Sequence, residues 1–183
     1  MSQVYIFLAQ GFEEIECLTV VDLMRRVNIP ITMVSISETL EVSGAHQMTV
    51  TADALFSDLN FDDANMLVLP GGAPGTCNLN DCKPLKNLLT DFYNKGKYIG
   101  AICAAPMILG HLGFLEGRKA TCYPGFEKDL IGADYVCEPV VLDGSVITSR
   151  GLGTAIEFAG QLIELLTDKA TADGVKAQVI YNL

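Results

Sequence analysis

Histidine is scarce in this sequence: the 183-residue chain has two, His46 and His111, and it contains no Cys-x-x-Cys pair. Neither histidine sits in a ligand pattern, which argues against a structural zinc site, and no metal is expected. Positive charge is also short, with 12 Lys and Arg against 22 Asp and Glu, a net charge of −10. Such a surface repels phosphate backbones and anionic lipid headgroups, so neither nucleic acid nor a membrane is an expected partner. Long apolar runs are missing too. The first one, Val4 to Ala9, is far too short to cross a bilayer, and the residues before it lack the basic start of a signal peptide. Six cysteines (Cys17, Cys77, Cys82, Cys103, Cys122, Cys137) are scattered along a chain with no export signal. A reducing cytoplasm is therefore the expected setting, in place of a disulfide framework. No repeat, linker or low-complexity tract interrupts the chain. With 50% hydrophobic residues it can bury a full core, and a single domain over residues 1–183 is expected.

What is present is an alternation of short apolar runs with helical patterns. Val4 to Ala9 reads as a strand and Glu13 to Val27, with Ile15, Leu18, Val20, Val21, Leu23 and Met24 at helical spacing, as a helix. Ile31 to Ile36 and Met66 to Leu69 read as buried strands, the second ended by Pro70-Gly71-Gly72. Between them, the more polar Leu40 to Ala54 predicts a small hairpin or an edge excursion. Pro84 is placed to open a helix over Leu85 to Tyr93 that Lys95-Gly96-Lys97 closes. Tyr98 to Ile102 reads as the central strand, followed by a helix over Ala104 to Leu112 and a strand over Ala120 to Tyr123. Tyr135 to Leu142 and Ser145 to Ser149 predict an antiparallel pair turning at Asp143-Gly144. Thr154 and Glu157 fit a capping box for the next helix, and Ala170 to Tyr181 reads as a final helix. Strands apolar on both faces and alternating with helices predict a mostly parallel sheet. The expected fold is a three-layer α/β/α sandwich, flavodoxin-like (class I glutamine amidotransferase-like).

In such sheets ligands bind outside the carboxyl ends of the strands. Three segments fall there: Gly11 to Glu16, Pro70-Gly71-Gly72, and Cys103 in Tyr-Ile-Gly-Ala-Ile-Cys-Ala-Ala-Pro. A sharp strand-to-helix turn at Cys103 would expose its sulfur where helix N–H groups favour an anion, the setting of a thiolate nucleophile. The other reading of Cys103 is a small apolar residue ending a buried strand. Of the three first-turn glutamates, Glu13 and Glu14 are assigned to capping and solvation. Glu16, a turn inside the helix, is the candidate to hold a proton beside the sulfur and move it in catalysis. The N–H groups of Gly72 and Ala104 would make an oxyanion hole.

Four ordered segments resemble the ThiJ/PfpI superfamily, most closely its DJ-one branch: Gly11-Phe12-Glu13-Glu14-Ile15-Glu16, Leu69-Pro70-Gly71-Gly72, Ala101-Ile102-Cys103-Ala104-Ala105-Pro106, and Thr148-Ser149-Arg150-Gly151-Leu152-Gly153-Thr154. The resemblance covers the whole chain and implies a homodimeric enzyme with no cofactor. In it Cys103 is the oxidisable nucleophile, Glu16 its proton partner, and Gly71, Gly72 and Ala104 the substrate-binding backbone. It also implies the chemistry: glutathione-independent conversion of methylglyoxal to lactate, or deglycation of early adducts, with a small dicarbonyl or glycated adduct as partner. An oxidative-stress sensor or chaperone acting through Cys103 oxidation is the alternative; a cysteine peptidase or a thiamine-related enzyme stands third. One departure is visible. Where many members carry a histidine, Thr121-Cys122-Tyr123-Pro124 places Tyr123, which bounds the pocket, hydrogen-bonds substrate, or simply packs. That removes a cysteine–histidine dyad at this position and weakens the peptidase reading, which needs one to protonate an amine leaving group. Cys122 beside it is a candidate resolving thiol, although alternation would turn one of the two neighbours away. Arg25-Arg26 with Asp22 matches a family stretch near the dimer interface, or forms ordinary charge pairs on a solvated face.

Overall fold

The computed structural model describes residues 3–181. In chain order its elements are β1 (Gln3–Leu8), α1 (Glu14–Arg26), β2 (Ile31–Ser35), β3 (Glu41–Ser43), β4 (Thr49–Thr51), β5 (Ala54–Leu55), β6 (Ala64–Leu69), α2 (Gly75–Asp81) and α3 (Lys83–Asn94). There follow β7 (Tyr98–Ile102), α4 (Pro106–His111), β8 (Lys119–Ala120), β9 (Asp134–Tyr135), β10 (Val140–Asp143), β11 (Val146–Ser149), α5 (Ala155–Leu166) and α6 (Lys169–Gln178). Seven strands form one sheet in the order β10-β11-β7-β6-β1-β2-β5. All pair in parallel except β10, which runs antiparallel to β11 through the Asp143-Gly144 turn.

The continuous apolar character of β1 has a direct cause. Val4, Ile6 and Leu8 enter a core shared with α1, α5 and α6, while Tyr5 and Phe7 enter a second core shared with α2, α3 and α4. Alternate side chains of one strand thus fill both outer layers, and the sheet is a three-layer sandwich as its strand pattern predicts. Each fully buried anchor such as Phe7 or Phe158 contributes about 1.5–3 kcal/mol of transfer free energy. The polar stretch after β2 is indeed a hairpin, β3–β4, that leaves the main sheet and returns to its edge as β5.

Several expected elements differ. The middle position of the sheet belongs to β6, with Tyr98–Ile102 beside it. Pro84 is the second residue of its helix, which opens at Lys83. The run at 120–123 pairs only through Ala120, in a separate parallel ladder with β9; the Thr121 N–H goes instead to the Thr148 hydroxyl, 3.0 Å away. The capping box of α5 does not form. Its two members are used elsewhere: the Thr154 hydroxyl bonds Gly151 and Ser149, and the Glu157 carboxylate accepts from Tyr181 at 2.7 Å. The last helix stops at Gln178. Helix α2 has no counterpart in the expected elements, and its sequence shows why: Gly-Thr-Cys-Asn-Leu-Asn-Asp is poor in helix formers, and Leu79 is its one large buried apolar side chain.

Candidate active site

Strands β11, β7, β6 and β1 are consecutive in the sheet and parallel, so the loops at their carboxyl ends meet along one edge. Main-chain hydrogen bonds fasten these loops together. The Glu13 N–H donates to the Gly71 carbonyl (2.8 Å), the Cys103 N–H to the Ser149 carbonyl (3.0 Å), and the Tyr123 N–H to the Cys103 carbonyl (2.8 Å).

Cys103 stands at the apex of the β7 to α4 turn with φ +65°, in the left-handed region that a residue with a Cβ seldom occupies. The helix expected from Ala104 starts only at Pro106, because the chain first completes this turn, with Ala105 as the N-cap. The sulfur, half-buried, faces the N–H groups of Ala104 and Gly72 and the carboxyl of Glu16. Glu16, expected a turn inside the helix, lies in the first turn of α1, which opens at Glu14, and is buried, 1% exposed. Its Oε2 accepts the Gly71 N–H at 2.9 Å, and the Leu152 N–H and the Cys103 thiol also address the carboxyl.

Burial dominates the electrostatics of the pair. It pushes the Glu16 carboxyl up to about 7 against the pull of the Gly71 N–H and Cys103, with the charge of Glu13 adding to the rise. It also pushes the Cys103 thiol up to about 12, with the Glu16 charge next, while the Ala104 and Gly72 N–H groups pull down. The helix-assisted thiolate expected from the sequence is therefore not what the environment alone produces. Two acids in one dry space do not ionise together, so the pair holds both protons below about pH 7 and no more than one negative charge above it. A Glu16 that keeps its hydrogen removes its own repulsion from the sulfur and supplies a donor to it.

Both glycines are required by close approach. A Cβ on Gly71 would stand 2.5 Å from the Cys103 Cβ and 2.8 Å from Glu16 Oε2. One on Gly72, at φ +95°, would stand 2.4 Å from the Glu13 nitrogen. Gly71→Ala should thus wedge the cysteine and glutamate apart. We expect turnover to fall by roughly two orders of magnitude, as for a displaced catalytic group, at a stability cost of about 1–3 kcal/mol. Steady-state kinetics and urea unfolding on the same preparation measure the two effects.

Tyr123 occupies the position the sequence places it in, but it does not pack: it is 50% exposed. With Pro124, Arg150 and Leu152 it lines an open groove of about 320 Å³. Gly151 joins this groove to the buried pair, since a Cβ there would lie 3.2 Å from the Tyr123 ring and 3.7 Å from Glu16 Oε1. A larger cavity, about 530 Å³, lies beside α6 and holds none of the candidate site residues. Cys122 is fully buried in the α2, α3 and α4 core, turned away from its neighbour Tyr123, so it is no accessible resolving thiol.

The other two glutamates depart from simple solvation. Glu13 does cap α1, accepting the Glu16 N–H at 2.6 Å, but it is 7% exposed. Glu14 is 0% exposed and holds the β3–β4 hairpin by accepting the N–H groups of His46 (2.8 Å) and Met48 (3.4 Å). His46, which the sequence leaves isolated, brings its Nδ1 to 3.1 Å from Glu14 Oε2. A contact across 32 residues through a hairpin has no local signature. The Leu152 N–H also escapes sequence reading, since its segment counts only as a motif. Arg25 and Arg26 form exposed ion pairs with Asp53 and Asp22, at 2.8 and 2.7 Å, of the kind that contributes little.

Residues 2–165 match the DJ-1/PfpI family. The chain belongs to it. It is 37% identical over 181 residues to protein DJ-1 homolog B of Arabidopsis thaliana, covering 98% of this chain and 41% of that one. The chain thus spans less than half the length of that relative, and likewise 45% of Arabidopsis DJ-1 homolog A. A Pyrococcus abyssi protein named as a deglycase is 32% identical over 167 residues, 90% of this chain and 99% of that one. Among solved structures, oxidized Toxoplasma gondii DJ-1 superposes with a TM-score of 0.95 at 33% identity, covering 100% of both chains. The flavodoxin-like fold is that of these DJ-1 structures.

Proposed function

We propose that this DJ-1/PfpI protein is a cysteine-dependent enzyme of reactive-carbonyl defence, converting methylglyoxal to lactate without glutathione and acting on early glycation adducts of the same aldehydes. The observation that carries this reading is the buried Glu16 carboxyl against a Cys103 sulfur that also faces the Gly72 and Ala104 N–H groups. The deglycase named in Pyrococcus abyssi supports it.

In the proposed sequence the singly ionised pair reacts with its charge on sulfur: the Cys103 thiolate adds to the aldehyde carbon as Glu16 gives its proton to the carbonyl oxygen, leaving a hemithioacetal. The two N–H groups hold the oxygen while charge develops on it. Glu16, now a carboxylate, takes the hydrogen from that carbon as a proton and returns it to the neighbouring carbonyl carbon, while the hemithioacetal hydroxyl proton passes to the neighbouring oxygen. The product is a thioester of lactate. Water attacks it, lactate leaves, and the thiol is restored, so the reaction is redox-neutral. Addition to an aldehyde expels no amine, so the missing histidine is no obstacle. Among the described residues neither His46 nor His111 hydrogen-bonds Cys103, which disfavours a peptidase. The groove floored by Gly151 and walled by Tyr123 is the entry for substrate. Incubation with methylglyoxal in glutathione-free buffer should yield lactate by NMR; none above background overturns the assignment.

A second reading rests on the half-buried sulfur and on the oxidized state named for the Toxoplasma gondii neighbour. Under peroxide, Cys103 would pass to a sulfinate held by Glu16 and the same N–H groups. Mass spectrometry after mild peroxide should find two added oxygens at Cys103 before the other five cysteines react; an indiscriminate order counts against sensing. We also read the protein as a cytoplasmic homodimer. Among the described residues no helix is long and apolar enough to cross a membrane, and α1 leaves Ile15 and Leu18 exposed one turn apart, an apolar seam that a second copy would cover.

A further inference from the structure

We propose that Glu13, Glu14 and His46 form a site for one divalent transition-metal cation, clamping the β3–β4 hairpin to the start of α1. The three donor atoms lie within 4.8 Å of one another. His46 Nδ1 is 3.1 Å from Glu14 Oε2 and 4.0 Å from Glu13 Oε1. Ligands held about 2.1 Å from a common ion stand between about 3.0 Å apart at a right angle and about 4.2 Å apart when opposed. Both His46 separations fall inside that interval, and the Glu13 and Glu14 oxygens, within 4.8 Å of each other, need to close by at most about 0.6 Å for an ion to fit.

Glu13 gives the independent pointer. Its side chain is 10% exposed, and its Oε2 is spent on the helix cap. Its Oε1 takes no hydrogen bond among the described residues and is directed at the imidazole. Glu14 is a fully buried carboxylate. It accepts the N–H groups of His46 (2.8 Å) and Met48 (3.4 Å), and its Oε2 lies 3.1 Å from the His46 Nδ1. No lysine or arginine pairs with either glutamate among the described residues, and His46 alone faces them. Two adjacent buried carboxylates with so little positive charge around them are costly unless a cation is bound.

One nitrogen and two carboxylate oxygens suit a borderline ion such as zinc, cobalt or manganese better than calcium or magnesium, which favour oxygen alone. The His46 side chain is 67% exposed, so water fills the remaining coordination positions. Binding through Nδ1 requires the imidazole proton to sit on Nε2. The set contains no sulfur, and the groups that move protons in the proposed reaction are not among its ligands.

The test uses the full chain with Cys77→Ser, Cys103→Ala and Cys137→Ser, which removes the two exposed thiols and the candidate nucleophile, after stripping with EDTA. Cobalt(II) chloride titrated by calorimetry and absorbance should bind at one equivalent, with a visible d–d band and no thiolate-to-cobalt charge-transfer absorption. Adding His46→Ala, a change at an exposed side chain, should weaken binding by at least about tenfold, as ligand-shell losses do. Glu13→Gln should do the same, and His111→Ala should leave affinity unchanged. Absence of binding, a sulfur charge-transfer band, or equal affinity in the His46→Ala protein each overturns the site.

Discussion

Cys103→Ala is expected to abolish lactate formation from methylglyoxal, with loss of at least about three orders of magnitude, since a covalent route has no substitute for its nucleophile. The fold should survive. The side chain is half-buried at a turn outside the regular elements, and alanine keeps the Cβ while removing only the sulfur. Alanine inherits a left-handed backbone already tolerated with a side chain present, so the φ of +65° imposes no new demand. Removing the sulfur takes one partner from the Glu16 carboxyl, which keeps the Gly71 and Leu152 N–H groups. The variant should therefore stay folded, with a thermal midpoint near that of the parent. Full activity in this protein would refute the covalent mechanism.

Glu16→Gln is expected to lower kcat by about 10²–10⁴, the range that a positioned proton-transfer group supplies, while iodoacetamide still modifies Cys103. Glutamine can keep the hydrogen bond from the Gly71 N–H, so the frame remains while the mobile proton is lost. Stability gives a second readout with a definite sign. The folded protein holds the Glu16 proton up to about pH 7, against an unperturbed value of 4.5. Between those values the unfolded chain releases a proton that the folded chain keeps, so stability is greatest at the acid side and falls as pH rises through the window. The fall amounts to about 3 kcal/mol, and it should be missing in Glu16→Gln. Urea midpoints from pH 4 to 8 in the presence of a chelator measure it; parallel curves for the two proteins would show that Glu16 is not the titrating group.

The parts of this architecture that the sequence makes legible are those with a strong local pattern. The apolar runs of β1, β2, β6 and β7 identify themselves because each is buried on both faces, and the polar break after β2 marks the hairpin. Cys103, Gly71-Gly72 and Glu16 can be found because each follows one of those runs at the sheet edge where loops converge. Helix α2 is hidden because asparagine, aspartate and glycine make it, and its one large buried side chain is too little to show a period. The strand expected at Thr121 to Tyr123 fails for a tertiary reason: the Thr121 and Tyr123 N–H groups are claimed by Thr148 and Cys103, which no local rule reveals. The capping box fails the same way, with Glu157 drawn to Tyr181 far along the chain. His46 comes to Glu14 only through the fold of the hairpin, and its weight is invisible beforehand.

The loops around the sulfur are stitched by peptide groups, Glu13 to Gly71, Cys103 to Ser149 and Tyr123 to Cys103, with few side chains in the stitching. Peptide groups are indifferent to which residue carries them. The rim of the pocket is consequently free to change its side chains without disturbing the reactive centre, and a tyrosine can stand at position 123 because only its peptide N–H is engaged there. What such changes alter is the range of molecules admitted, and the chemistry awaiting them stays the same.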